Sequence, residues 1–216
     1  MWSTVLGVAG GSGAGKTTLV ESVAARLGDR ATVLWFDEYY HDLVHLSPDQ
    51  RATVNFDHPD SLDEELLIEH LDGLLAGRPV DVPVYDFATH TRTGRTRRVE
   101  PRPVVVVDGI LVLAVPDLRS RLDLAVFVDA PAEVRLARRM YRDVRERGRT
   151  TASVRAQFEA TVAPMHEAFV DPSAEHADLR LDGTGDLDAN LDVLADAVDR
   201  LHVGTRPPGL RESDPR

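Results

Sequence analysis

The sequence predicts an α/β fold, a mainly parallel five-stranded sheet with helices on both faces, an inserted β-hairpin and an arginine-rich helical lid. Five short apolar runs recur along the 216 residues. Helix-patterned segments separate most of them, as expected when parallel strands are joined by crossover helices. A chain of this length is also large enough to bury one sizeable core.

In chain order, Thr4–Ala9 reads as a buried strand and Thr17 to Leu27 as the helix that follows it. The second strand is Thr32–Phe36. Ser61-Leu62-Asp63-Glu64 has the capping-box pattern and Gly77 is a stop signal, so 62–76 is read as a helix. Val80, Val82 and Val84 then alternate before a stretch of Thr, Arg and Gly94, which places a β-hairpin over about 78–103. Val104–Val107 and Leu124–Val128 are the next two strands. Residues 131–147 form a helix with Pro131 at its start and Glu133 in its first turn, and Gly148 ends it and provides a hinge. Ala177–Leu181 is the fifth strand. Asp186 caps a last helix with Leu187, Leu191, Leu194, Val198 and Leu201 on one stripe. The domain is expected to span 1–204, with Thr205 to Arg216 a flexible, proline-bearing tail. No internal repeat is present.

The formal net charge of −11 argues against a nucleic-acid polymer as partner. There is no cysteine, hence no disulfide frame and no thiolate metal site. The N-terminus lacks the basic region of a signal peptide. The longest apolar run, Val104 to Val115, is interrupted by Asp108-Gly109 and is too short to cross a bilayer. A cytoplasmic protein with no membrane partner is the expectation.

Lys16 is the only lysine in the chain; every other permanently cationic side chain is arginine. It lies in Gly10-Gly11-Ser12-Gly13-Ala14-Gly15-Lys16-Thr17, followed by Thr18, which fits the phosphate-binding pattern G-x-x-x-x-G-K-[ST]. A compact ammonium on a flexible stem can follow a phosphate where a planar guanidinium is too large. Glycines allow successive backbone N–H groups to point into one concavity, and the next helix adds the positive end of its dipole. Lys16 is then expected on the β and γ phosphates and the Thr17 hydroxyl on Mg²⁺. The motif makes the fold a P-loop NTPase three-layer sandwich.

Ligands of open α/β sheets bind beyond the carboxyl ends of the strands. Asp37 follows the second strand and Asp108 the third. Asp108 stands where a Walker-B acid holds Mg²⁺, directly or through water. Asp37 is left to take the proton from an attacking hydroxyl, close enough to the metal to be counted with Thr17 and Asp108 as a candidate ligand.

Helix 131–147 and the residues after it carry Arg135, Arg138, Arg139, Arg142, Arg145, Arg147 and Arg149, accompanied only by Asp143 and Glu146. The first five fall within about a third of a helical projection. In an acidic protein such a density of like charge implies an anionic guest, so residues 131–150 are read as a mobile lid closing over a triphosphate.

Further segments resemble the uridine–cytidine kinases: Asn55-Phe56-Asp57-His58-Pro59-Asp60-Ser61, Val84-Tyr85-Asp86-Phe87-Ala88-Thr89-His90, and Arg142-Asp143-Val144-Arg145-Glu146-Arg147-Gly148-Arg149. The phosphate loop, Asp37-Glu38-Tyr39-Tyr40 and Asp108-Gly109-Ile110 come in the family's order, and the likeness spans about residues 4–182. The resemblance implies a nucleoside kinase using ATP or GTP with Mg²⁺. By it, Asp37 matches the base at the ribose 5′-hydroxyl, and Asp57, with Arg139 nearby, the residue on the ribose hydroxyls. Tyr40, Phe56, Tyr85, Phe87, His90 and Gln157 match residues shaping the pyrimidine pocket. Arg142, Arg147 and Arg149 match lid arginines on the phosphates, Lys16, Arg142 and Arg147 carrying the catalytic charge. A homo-oligomer, commonly a tetramer, is also implied. Three positions depart from the family: Asp108 stands where Glu is frequent, Thr150 replaces an acid, and the segment after Asp182 lacks the usual glycine–asparagine pattern.

The expected reaction is phosphorylation of uridine, and of cytidine, to the 5′-monophosphate. The alternatives are a kinase of the same architecture acting on nicotinamide riboside, pantothenate or a sugar phosphate, and a non-catalytic nucleotide sensor. A GTPase switch would carry an N-K-x-D motif, which the single lysine rules out.

Overall fold

The computed structural model describes residues 3–202. Its central sheet holds β1 (Thr4–Ala9), β2 (Ala31–Trp35), β5 (Val104–Asp108), β6 (Leu124–Asp129) and β7 (Leu179–Asp182) in the order β2-β5-β1-β6-β7. All neighbours are parallel. Between them lie α1 (Lys16–Leu27), the short α2 (Pro48–Ala52), α3 (Glu64–Leu75) and the antiparallel hairpin of β3 (Val80–Asp86) and β4 (Thr91–Val99). After β5 come α4 (Pro116–Arg119) and, beyond β6, the arginine-rich α5 (Ala132–Glu146). A further helical rod begins as α6 (Thr151–Gln157), passes through π turns at Phe158–Val162 and His166–Val170 around α7 (Ala163–Met165), and continues into α8 (Asp171–Ser173). The last helix is α9 (Leu187–His202). The sequence-predicted tail from Thr205 lies outside the described residues.

The alternation of side chains along β5 shows why strands so uniformly apolar are used. Val105 and Val107 face a core with Leu67, Leu71 and Leu74 of α3. Val104 and Val106 face a second core with Leu19, Val20 and Val23 of α1 and Leu191, Leu194 and Val198 of α9. Both faces are buried, so every strand position favours an apolar residue. Burial on this scale, at about 25 cal/mol per Å² of apolar surface, is the main force holding the layers together.

Several boundaries differ from the sequence expectation. The first helix begins at Lys16 and the third strand of the sequence reading, β5, ends on Asp108 itself. Helix α3 is capped by Asp63, whose Oδ1 accepts from the Leu66 N–H at 3.2 Å, and not by Ser61. The Ser61 hydroxyl donates instead to the Phe56 and His58 carbonyls at 3.1 and 2.7 Å, closing the turn that carries Asp57. Competition between two cap residues two positions apart is settled by which backbone carbonyls the loop leaves unpaired. Asp186 caps α9 as the sequence suggests, through the Ala189 N–H at 2.9 Å.

The hairpin is fastened beside the sheet by arginines. Arg92 of β4 donates to the Tyr40 carbonyl at 3.2 Å and to Asp63 at 2.9 Å, and Arg97 pairs with Glu38 at 2.7 Å. These ties hold the hairpin over the segment that follows β2.

Candidate active site

The sheet's connection order reverses around β1, with β2 and β5 on one side and β6 on the other. A crevice opens at the carboxyl ends of the strands where such a reversal occurs. The loop from Gly10 to Gly15 leaves β1 at that point and feeds α1. Parallel register sets Asp108 opposite both Val8 and Trp35, which brings the end of β5 beside the loop and two residues short of Asp37.

Local backbone geometry explains the loop's composition. Gly13 has φ +84°, and a Cβ there would lie 2.5 Å from the Arg135 carbonyl oxygen. The loop is thus packed against the first turn of α5. Arg138 of that helix donates to the Ala14 carbonyl at 3.0 Å, and Arg139 donates to the Ser12 hydroxyl at 2.8 Å. Lys16 is buried, with its ammonium 3.1 Å from the Gly11 carbonyl. Burial lowers its pKa, while the carboxylates of Asp108 and Asp37 oppose that shift. Thr17 and Thr18 open α1 with exposed side chains at the mouth of the cradle.

The Thr17 hydroxyl donates to Asp108 Oδ2 at 3.2 Å. The second carboxylate oxygen, Oδ1, is buried with no hydrogen-bond partner. Burial raises the Asp108 pKa to about 6, against the pull of Lys16. A buried, unsatisfied carboxylate oxygen beside a hydroxyl at a phosphate cradle fits a hard cation. Among the described residues no group of three or more His, Cys, Asp or Glu side chains converges as a metal cage. That suits Mg²⁺, which keeps waters and phosphate oxygens and takes only one or two protein ligands at such sites.

On the far side of Asp37 the predicted aromatic residues converge. Asp37 Oδ1 accepts from the Tyr40 hydroxyl at 3.4 Å. Tyr40 in turn meets Phe56 at 5.2 Å and Tyr85 at 5.6 Å between ring centroids, and Tyr85 meets Phe87 at 5.3 Å. His90 lies nearly parallel on Phe56 at 4.6 Å. It holds φ 55°, a left-handed conformation that no other non-glycine among the described residues adopts. Such strain is retained where surrounding structure enforces it, often at a ligand site. Burial, then Arg147 and Arg149, lower the His90 pKa, which keeps the ring neutral near pH 7. Asp57 is buried and raised by that burial, with the Arg139 guanidinium opposing.

Helix α5 does not present a uniform charged face to solvent. Arg135 and Arg139 are buried, whereas Tyr141 and Val144 of the apolar stripe are exposed. Arg147 stacks 5.5 Å above the Phe87 ring, so the end of the lid reaches the aromatic cluster. Arg145 points elsewhere, onto Tyr141. Gln157 is not among the rings: its carbonyl oxygen accepts from Arg139 at 2.9 Å and from Arg149. Thr150, where the resembling family has an acid, is the N-cap of α6, accepting from Ser153 at 3.1 Å.

Four residues of this arrangement were not assigned from sequence. Arg135 and Arg138 share the predicted stripe, and their spacing of four from Arg139 and Arg142 respectively was the available signal. Asp143 gathers the lid arginines and is fully buried. Arg92 lies in a hairpin whose docking no local pattern reports.

Comparison with known proteins bears on the same residues. Residues 5–189 match the family described as Phosphoribulokinase / Uridine kinase. The uridine kinase of Chloroflexus aurantiacus is 46% identical over 196 residues, 90% of this chain and 94% of that protein. The uridine kinase of a Geobacillus species is 43% identical over 195 residues, 90% of this chain and 92% of that protein. Among solved structures, phosphoribulokinase from Rhodobacter spheroides superposes with a TM-score of 0.61 at 15% identity, covering 85% of this chain and 73% of that one. D-glycerate 3-kinase from Cryptococcus neoformans gives 0.58 at 19%, covering 78% and 79%. These two establish the shared fold. With a match across nearly the whole described core and relatives above 40% identity, the chain belongs to the phosphoribulokinase/uridine kinase family.

Proposed function

We propose that this protein is a nucleoside kinase that transfers the γ-phosphoryl group of ATP or GTP to the 5′-hydroxyl of uridine, and of cytidine, giving UMP or CMP. The observation that carries this reading is the position of Asp37. Its carboxylate touches the Tyr40 hydroxyl of the aromatic cluster and opposes the burial shift on Lys16 of the loop. A base between a phosphate cradle and a flat, aromatic-walled pocket fits an alcohol on a planar-headed acceptor. Relatives covering nine-tenths of the chain bear the name uridine kinase, which selects the pyrimidine nucleoside.

In this reading Asp37 accepts the proton of the attacking hydroxyl as its oxygen bonds to the γ-phosphorus. The bond from that phosphorus to the bridging oxygen breaks, and the nucleoside diphosphate leaves. Lys16, Arg142, Arg147 and Arg149 neutralise the phosphoryl oxygens, the main requirement of such a transfer. Thr17 and Asp108, with Asp37 close by, would hold Mg²⁺, which supplies charge on the β and γ oxygens when bound. Asp57 accepts from the ribose hydroxyls, with Arg139 balancing its charge. Tyr40, Phe56, Tyr85 and Phe87 supply aromatic surface to the base. A neutral His90 has both a donor and an acceptor for its polar edge. Gln157 acts one step back, as the acceptor that fixes Arg139 and Arg149.

The proposal extends to a homo-oligomer, which sedimentation tests directly. No described helix is long and apolar enough to cross a membrane. Asp37→Asn tests the reaction itself. Nucleotide binding is expected to persist while turnover with uridine falls on the order of 10²- to 10⁴-fold, the usual contribution of a positioned base. Turnover near the parent value would remove Asp37 from this role. A panel of acceptors including nicotinamide riboside, pantothenate and a sugar phosphate separates the reading from a kinase of another alcohol. ATP binding with no acceptor-dependent ADP release would mark a sensor.

A further inference from the structure

We infer that Asp143 is a positioning residue, one that assembles the arginine lid over the cradle before any nucleotide arrives. The inference rests on the reading of Arg142, Arg147 and Arg149 as phosphate ligands.

Asp143 is fully buried on the inward face of α5, one turn after Arg139 and one turn before Arg147. Four guanidinium groups surround its carboxylate. Arg142 Nε is 2.9 Å away, Arg149 Nη1 3.6 Å, and Arg139 Nε and Arg147 Nη1 3.7 Å. Its backbone carbonyl also accepts from the Arg147 and Arg149 N–H groups at 3.2 and 3.1 Å. One residue therefore holds both the charges and the turn that follows the helix. A carboxylate with no solvent exposure is strongly disfavoured unless cations compensate it, so its placement in this helix needs the arginines as much as they need it.

The distances show how the arginines are gathered without being used up. Only Arg142 is at hydrogen-bond length, and it uses Nε, so both terminal nitrogens stay available. The other three sit beyond hydrogen-bond length, and Asp143 Oδ2 has no hydrogen-bond partner. Attraction holds them in the neighbourhood without tying their donors to Asp143; Arg139 donates instead to Ser12 and Gln157, and Arg149 to Gln157 and the Ser153 carbonyl. One carboxylate among four cations leaves a strong positive excess, which a triphosphate completes. A neutral side chain at 143 removes the counter-charge these four cations share, and their mutual repulsion then loosens the lid.

The test is limited trypsin digestion of the full chain without nucleotide, mapped at the bonds after Arg145, Arg147 and Arg149. In Asp143→Asn, cleavage there is expected to speed up on the order of tenfold, the scale of one charge-assisted hydrogen bond. The rest of the chain should digest at the parent rate, and a non-hydrolysable ATP analogue with Mg²⁺ should restore protection. The KM for ATP rises on the order of tenfold while that for uridine stays within about twofold. Asp143→Glu, which keeps the charge, retains the parent's pattern. Parent-like digestion and KM in Asp143→Asn overturn the inference. If that variant does not fold, Arg142→Gln and Arg149→Gln carry the digestion test at the bonds after Arg145 and Arg147, and unchanged cleavage in both overturns it. Absence of uridine phosphorylation in the parent would refute the functional reading alone, because the digestion arm judges Asp143 without turnover.

Discussion

Gly13→Ala measures how tightly the phosphate loop is built against the lid helix. At φ +84° an alanine meets left-handed strain of about 1–2 kcal/mol. Its Cβ would also lie 2.5 Å from the Arg135 carbonyl oxygen and 3.1 Å from that residue's carbonyl carbon and Cα. These are backbone atoms in a helix and cannot swing aside, so overpacking adds about 1–3 kcal/mol. The sum, about 2–5 kcal/mol, corresponds to a fall of roughly thirtyfold to several thousandfold in the population of the native loop. Gly28→Ala is the control: its φ is +55°, and nothing lies within 4 Å of its Cβ. Only the strain applies there. For a chain of this size each kcal/mol lowers Tm by about 2–4 °C. With ψ −129° Gly28 lies outside the left-handed α region, and a side chain there costs about 1–3 kcal/mol, so Gly28→Ala is expected to lose roughly 2–12 °C and to keep its KM for ATP. Gly13→Ala is expected either to melt about 4–20 °C lower or, if the loop yields locally, to raise the KM for ATP at least about thirtyfold. Thermal melts and steady-state assays on both variants decide. Should Gly13→Ala behave like Gly28→Ala in both measurements, the loop does not depend on its contact with Arg135.

Two further outcomes follow from partly buried polar groups. Arg92→Ala removes the ties from β4 to Tyr40 and Asp63; a charged hydrogen bond of this kind contributes about 1.5–3 kcal/mol, so Tm falls by roughly 3–12 °C. The KM for uridine should rise with it, because the same hairpin carries Tyr85 and His90, and a parent-like KM would detach the hairpin from acceptor binding. Burial lowers His166 to about 4. The unfolded chain, at about 6.5, therefore takes up a proton that the folded one refuses as pH falls through that window. Stability present above about pH 6.5 is lost toward pH 4; solvent screening of this partly exposed ring reduces the loss to on the order of 1 kcal/mol between pH 7 and pH 5. In His166→Phe, urea melts at those two pH values should differ less by that amount, and an unchanged difference would clear His166 of this effect.

Sequence determined what depends on near neighbours. Strands buried on both faces need uniform apolar runs, and β1, β5 and β6 were legible within a residue or two for that reason. Lys16, Thr17 and the glycines before them were legible because a phosphate nest places strict demands on backbone and side chain over a few residues. Asp37 and Asp108 were singled out by strand ends read together with the phosphate loop. Tertiary structure decided what depends on where an element lands. The arginine stripe of α5 was legible as a stripe, but which members are covered was not: packing on the loop buries Arg135 and Arg139 and leaves Tyr141 outside. Asp63 displaced Ser61 as the cap of α3 because the Phe56 and His58 carbonyls, brought within reach by the intervening turn, claimed the Ser61 hydroxyl. Asp143 shows the difference most plainly: its charge is written in the sequence, but the value of a charge depends on the solvent and partners around it, and only the folded chain supplies those.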